Sequence, residues 1–89
     1  MSAKVTMYST RFCPYCMRAR SLLGNKSVTY EEIDVGSDTS LWQEMQKLSG
    51  RDSVPQIFIN DESVGGYDDI ALLDRQGQLD TMLATSPST

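Results

Sequence analysis

Apolar and polar residues alternate in short blocks along this chain, and the period of each block predicts an element. Lys4-Val5-Thr6-Met7-Tyr8 combines β-branched and apolar side chains as a strand does. Ser9 to Phe12 breaks that pattern as a loop. From Pro14 to about Asn25 the period becomes helical: Cys16, Ala19, Leu22 and Leu23 share one face, with Arg18, Arg20 and Ser21 off it. Gly24-Asn25 is a stop signal. Val28 to Val35 reads as a second strand and Gly36 to Thr39 as a turn. Ser40-Leu41-Trp42-Gln43 has the capping-box form, and Leu41, Met45 and Leu48 follow at helical spacing up to Gly50. Gln56-Ile57-Phe58-Ile59, behind Pro55, is a short apolar run of the kind covered on both faces of a sheet. Asn60-Asp61 turns the chain into Glu62-Ser63-Val64, closing a hairpin. Gly65-Gly66 leads to a helix with Asp68 and Asp69 in its first turn, where the dipole favours acids. Its apolar positions are Ile70, Leu72 and Leu73, and Gly77 ends it. Leu79, Met82 and Leu83 mark a last short helix, and the polar stretch from Ala84 to Thr89 is expected to fray.

The predicted order is β-α-β-α-β-β-α-α. Its first half is a βαβ unit, which requires a parallel pair and a right-handed crossover. Its second half adds an antiparallel hairpin. The expected fold is therefore α/β, a mixed four-stranded sheet flanked by helices on both faces. At 89 residues, without repeats or linkers, residues 1–89 are expected to form one domain.

Charge and cysteine usage narrow the function. The formal net charge of −4 disfavours nucleic acid or an anionic membrane as partner. No apolar run approaches membrane-spanning length. Met1-Ser2-Ala3-Lys4 runs straight into the first strand without an export-type apolar segment, so a reducing cytoplasmic setting is expected. There is no histidine, which removes Ser/His/Asp and Cys/His catalytic units. With two cysteines and no histidine, one chain cannot complete a tetrahedral zinc shell of the usual kind, and no metal is expected.

Both cysteines lie in Cys13-Pro14-Tyr15-Cys16, where the first strand hands over to the first helix. Thiols at i and i+3 of a helix start face the same side and can reach each other to form a disulfide. The free N–H groups and positive dipole end there favour thiolate over thiol. Pro14 suits the first helical turn, which needs no N–H. A C-x-x-C motif beside a βαβ unit reads as a redox site, with Cys13 the exposed nucleophile and Cys16 the resolving thiol one turn in. The plainer readings are two small core residues or half of a metal site.

Three motifs in chain order resemble the glutaredoxins, and the likeness runs from Lys4 to about Leu83. Cys13-Pro14-Tyr15-Cys16 resembles the family's dithiol active site. Ser53-Val54-Pro55 resembles its Thr-Val-Pro, whose proline is cis. Gly65-Gly66-Tyr67-Asp68-Asp69 resembles its second glycine-rich, glutathione-binding motif. The likeness is to the small bacterial dithiol members. It implies a thioredoxin fold, glutathione as co-substrate, and reduction of protein–glutathione mixed disulfides and protein disulfides. Ribonucleotide reductase is an implied client, and a monomer is expected.

By that resemblance Tyr15 walls the bound glutathione. Val54, between Ser53 and Pro55, pairs its backbone with the extended tripeptide as a short added strand. Gly66-Tyr67-Asp68 opens a helix whose free N–H groups hold a carboxylate, and Asp68 receives the α-amino group. Arg11 and Arg51 are candidates for the glycine-end carboxylate. Each has a plainer reading: a surface aromatic, a strand-initiating proline, a glycine turn with an acidic cap, solvated arginines. Trp42, Met45 and Leu48 are read as helix packing. Two departures stand out. The family's lysine three residues before the first cysteine is Thr10 here, with Arg11 beside it as a substitute cation, and the family's threonine before Val-Pro is Ser53. Two rivals remain open at this point. A thioredoxin-type reductase lacks its Trp-Cys-Gly-Pro-Cys pattern here. The other is a glutathione-ligated iron–sulfur cluster carrier.

Overall fold

The middle of the sheet is set by β1 (Val5–Ser9), whose five residues are all buried. The structure, a computed structural model, describes residues 3–86. After β1 come α1 (Pro14–Asn25), β2 (Tyr30–Asp34), α2 (Thr39–Ser49), β3 (Gln56–Ile59), β4 (Glu62–Gly65), α3 (Tyr67–Arg75) and α4 (Gln78–Ala84), in the predicted order. The four-stranded sheet runs β2-β1-β3-β4. β1 pairs parallel with β2, from Val5 beside Tyr30 to Ser9 beside Asp34, and antiparallel with β3, with Met7 beside Ile57. β3 pairs antiparallel with β4 through the two-residue turn Asn60-Asp61, both at positive φ (54° and 67°), as tight hairpins require.

Alternation along the strands divides the core. Val5 and Met7 of β1 and Ile57 and Ile59 of β3 face a layer containing Ala19 and Leu23 of α1, Ile70 of α3, and Leu79 and Leu83 of α4. Tyr8 and Phe58 point the other way and pack with Val35 and Met45 of α2, flanked by Leu41, Trp42 and Val54. The Tyr8 and Phe58 rings meet edge to face, with centroids 5.6 Å apart. Helices thus cover both faces, and the loops after β1 and β2 and before β3 gather at one end.

Several boundaries differ from expectation. α2 starts at Thr39, because the Asp38 carboxylate accepts the Ser40 and Leu41 amides at 3.0 and 3.1 Å and caps the helix ahead of Ser40. Gly24 stays inside the last turn of α1, and Ser27 takes the left-handed conformation that breaks the chain away (φ 57°). β2 begins at Tyr30, two residues after Val28, and β1 shifts one residue to end at Ser9. Leu48 and Leu72, predicted to pack, are 55% and 47% exposed, since each helix buries a narrower stripe than its apolar spacing suggests. Ala84 closes α4, and the expected fraying from there extends over residues 87–89, which lie outside the described residues.

Leu23 is fully buried between α1 and the sheet. Leu23→Ala is expected to cost about 2–5 kcal/mol. Leu72→Ala, at an exposed position, is expected to stay within about 0.5 kcal/mol. Urea denaturation with matched slopes checks both.

Candidate active site

The N-terminus of α1 is closed by a sulfur atom. Cys13 is its cap residue, with extended backbone (φ −105°, ψ 117°) and Pro14 in the first turn. Its Sγ accepts the Cys16 N–H at 3.3 Å. Both cysteines are free thiols, Cys13 partly exposed and Cys16 buried. Partial burial pushes the Cys13 thiol up. Hydrogen bonds from Cys16 and from the Cys16 and Tyr15 backbone, with the nearby Arg20 charge, outweigh it and leave the thiol below its ordinary value. Burial dominates at Cys16, which is pushed up to about 11 and stays protonated at neutral pH. One motif thus holds an ionisable thiol at the surface and a protonated thiol beneath it.

The Val54-Pro55 peptide is cis, and the Val54 carbonyl lies 3.8 Å from the Cys13 sulfur. Gln56 fixes the turn before it: its buried side-chain amide donates to the Ser53 carbonyl at 3.0 Å and to the Ser53 hydroxyl at 3.3 Å. Its Oε1 has no partner among the described residues. Gly66 comes so close to this segment that a Cβ there would meet the Pro55 carbonyl at 3.1 Å. Gly65, at φ 100°, leaves no room for a side chain beside Asp69. The Asp69 carboxylate accepts the Gly66 N–H at 2.9 Å and pairs with Arg51 at 2.8 Å. This capping ties the start of α3 to the segment before β3.

These approaches enclose an open groove of about 250 Å³. Of the residues singled out from sequence, Tyr15, Arg51, Ser53, Val54, Pro55, Gly66, Tyr67 and Asp68 line it together. Gln56 and Asp69 also line it and were not anticipated as site residues. A buried amide inside an apolar run, and an acid three residues after a glycine cap, were the available signals. The Arg18 guanidinium lies over the Tyr15 ring, 5.4 Å from its centroid.

Arg11 falls elsewhere. It lines a separate depression with Thr10, Phe12, Asp34, Gly36 and Ser37, formed by the loops after β1 and β2. It therefore does not join Arg51 at the groove. A cation whose charge lowers the Cys13 thiol is Arg20. The direction of a loop side chain is not written in its sequence position.

A family model described as Glutaredoxin matches residues 5–64. Glutaredoxin 3 of Escherichia coli (strain K12) is 44% identical over 81 residues, which is 91% of this chain and 98% of that protein. The chain belongs to the glutaredoxin family. The solution structure of glutaredoxin from Brucella melitensis superposes with a TM-score of 0.84 at 44% identity, covering 94% of this chain and 91% of that one. The crystal structure of a buckwheat glutaredoxin–glutathione complex superposes with a TM-score of 0.85 at 25% identity, covering 91% of this chain and 76% of that one. As a glutaredoxin, the protein is a glutathione-dependent thiol–disulfide oxidoreductase with the thioredoxin fold.

The two thiols of this glutaredoxin should titrate far apart. Alkylation of the wild type by iodoacetamide is expected to rise with pH with a midpoint below the ordinary cysteine value of 9.0. In Cys13→Ser the remaining thiol is expected to react slowly at neutral pH, because burial still raises it. A wild-type midpoint at or above 9.0 would contradict the assignment of Cys13 as the ionised thiol.

Proposed function

We propose that Cys13 is the nucleophile and Cys16 the resolving thiol, and that the groove beside them holds glutathione. The observation that carries this reading is the Cys13 sulfur seated on the Cys16 amide, with the second thiol buried directly behind it.

For a glutathionylated protein, the Cys13 thiolate attacks the glutathione sulfur. The S–S bond breaks, the protein thiolate leaves and takes a proton from solvent, and glutathione stays on Cys13. The thiolate of a second glutathione attacks that glutathione sulfur. Oxidised glutathione leaves and Cys13 returns as thiolate. For a protein disulfide, Cys13 attacks one sulfur. Cys16 then loses its proton and attacks Cys13, releasing the reduced protein and closing the Cys13–Cys16 disulfide. Two glutathiones reopen it, the first at the exposed Cys13 sulfur. A thiol with a lowered pKa serves both halves, because it is ionised as attacker and leaves readily.

The groove supplies recognition. The Val54 backbone pairs with the extended tripeptide as a short strand, between Ser53 and Pro55. The N–H groups of Tyr67 and Asp68 at the start of α3 take the γ-glutamyl carboxylate, the Gly66 N–H being taken by Asp69, and the Asp68 side chain takes the amino group. Tyr15 covers the sulfur end. Arg51, held by Asp69, is the cation for the glycine end. Ribonucleotide reductase among the clients, a cytoplasmic location, a monomeric state and a single domain over residues 1–89 belong to the same proposal.

The variant pair that tests it separates the two thiols. Cys13→Ser is expected to lose turnover of both substrate types. Cys16→Ser is expected to keep deglutathionylation and lose protein-disulfide reduction. Equal loss of both activities in Cys16→Ser would overturn the division of roles.

A further inference from the structure

β3 is buried along its whole length, and its first residue is its one polar one. Gln56 is 1% exposed and lies at the groove end of the strand. Its side-chain nitrogen carries two N–H groups, and both go to one residue: the Ser53 carbonyl at 3.0 Å and the Ser53 hydroxyl at 3.3 Å. The amide cannot be turned over, because its oxygen would then face the Ser53 carbonyl, and both only accept. Oε1 is thereby directed away from Ser53 and left, buried, without a partner among the described residues.

For stability alone this is a poor use of a core position. An unpaired buried acceptor costs free energy, and a methionine would fill nearly the same space without it. The two bonds to Ser53 return little, since Ser53 is exposed and water can serve its carbonyl and hydroxyl as well. What the amide does achieve is local. Ser53, Val54, Pro55 and Gln56 are consecutive, and the bond from the fourth side chain to the first carbonyl closes them into a turn. Val54 stands inside that turn. Its carbonyl lies 3.8 Å from the Cys13 sulfur, and Ser53, Val54 and Pro55 all line the groove. Gly66 at the start of α3 packs against the Pro55 carbonyl, but its N–H goes to Asp69, and Arg51 pairs with the same carboxylate. The Gly66 amide and the Arg51 guanidinium are thus engaged there, and the turn is tied from beneath by Gln56.

We propose that Gln56 is a positioning residue for glutathione: its amide holds Ser53-Val54-Pro55 in the shape that receives the extended tripeptide, and the core carries an unpaired acceptor as the consequence. A peptide that pairs with a backbone segment binds more weakly when that segment must first be ordered. The Gln56 amide removes that cost in advance, acting through Ser53. Binding strength and fold stability are therefore set against each other at this one side chain. The proposal rests on the groove being the glutathione site and deepens that reading.

Two readouts on Gln56→Met in the full chain separate positioning from scaffolding. One is the dissociation constant of S-methylglutathione, a thioether that cannot exchange, followed by NMR. The other is the urea midpoint. Binding is expected to weaken about fivefold, the net worth of one hydrogen bond. The midpoint is expected at or above that of the wild type, because the unpaired acceptor is gone. A scaffold role alone would lower the midpoint along with the affinity. Binding within about twofold of the wild type, or weaker binding with a lowered midpoint, overturns the proposal. If Gln56→Met does not fold, the Gln56 side-chain amide of the wild type decides. Its two N–H signals are expected to exchange slowly with solvent and to move as S-methylglutathione is added. Signals that exchange as freely as those of exposed amides, or that stay still while the groove fills, overturn it. A wild type that does not bind S-methylglutathione overturns the groove reading itself, whereas equal binding by wild type and variant overturns only the role of Gln56.

Discussion

The hydrogen bond from the Cys16 N–H to the Cys13 sulfur is the contact on which this molecule's chemistry depends. A helix start leaves N–H groups unpaired, and side-chain oxygens usually satisfy them. Here a sulfur takes that place, so the same geometry that caps α1 also stabilises negative charge on Cys13. Structural capping and stabilisation of the thiolate are one interaction, and replacing the sulfur alters both.

The fold brings everything else to that sulfur. β1 is buried between a parallel and an antiparallel neighbour, so its exit point is fixed from both sides. The crossover through α1 packs Ala19 and Leu23 onto the sheet and buries Cys16, which keeps the second thiol protonated behind the first. From the other side, the cis Val54-Pro55 peptide sets a carbonyl beside Cys13. The glycines before α3 let a second helix start approach the same groove. Two helix N-termini and the segment before β3 thus converge on one groove, lined by Arg51 together with Asp68 and Asp69.

Local features could be read from the sequence, and features made by distant partners could not. The element order, the bounds of α1 and β3, and the thiol pair followed from periodicity and spacing over a few residues. Ser40 looked like the α2 cap until the Asp38 carboxylate reached the same amides, a competition decided by geometry. Leu48 and Leu72 fit helical spacing, but spacing does not say how wide a stripe the sheet can cover. Arg11 stood next to the motif and turned away, while Arg20, two turns along from Cys13, reached back to the Thr10 carbonyl. The Arg51–Asp69 pair spans 18 positions, and no local pattern announces it. Gln56 sat in an apolar run and read as an ordinary strand residue, yet its amide holds the turn before Val54.

The claim that Cys13 is the attacking thiol is tested most directly by locating the first covalent intermediate. Wild-type protein would be mixed with a stoichiometric amount of a glutathionylated peptide, quenched with acid, and digested for mass mapping. The account predicts glutathione on Cys13 at the earliest times, giving way to the Cys13–Cys16 disulfide. Glutathione found first on Cys16, or on neither cysteine while the peptide is reduced, would contradict it.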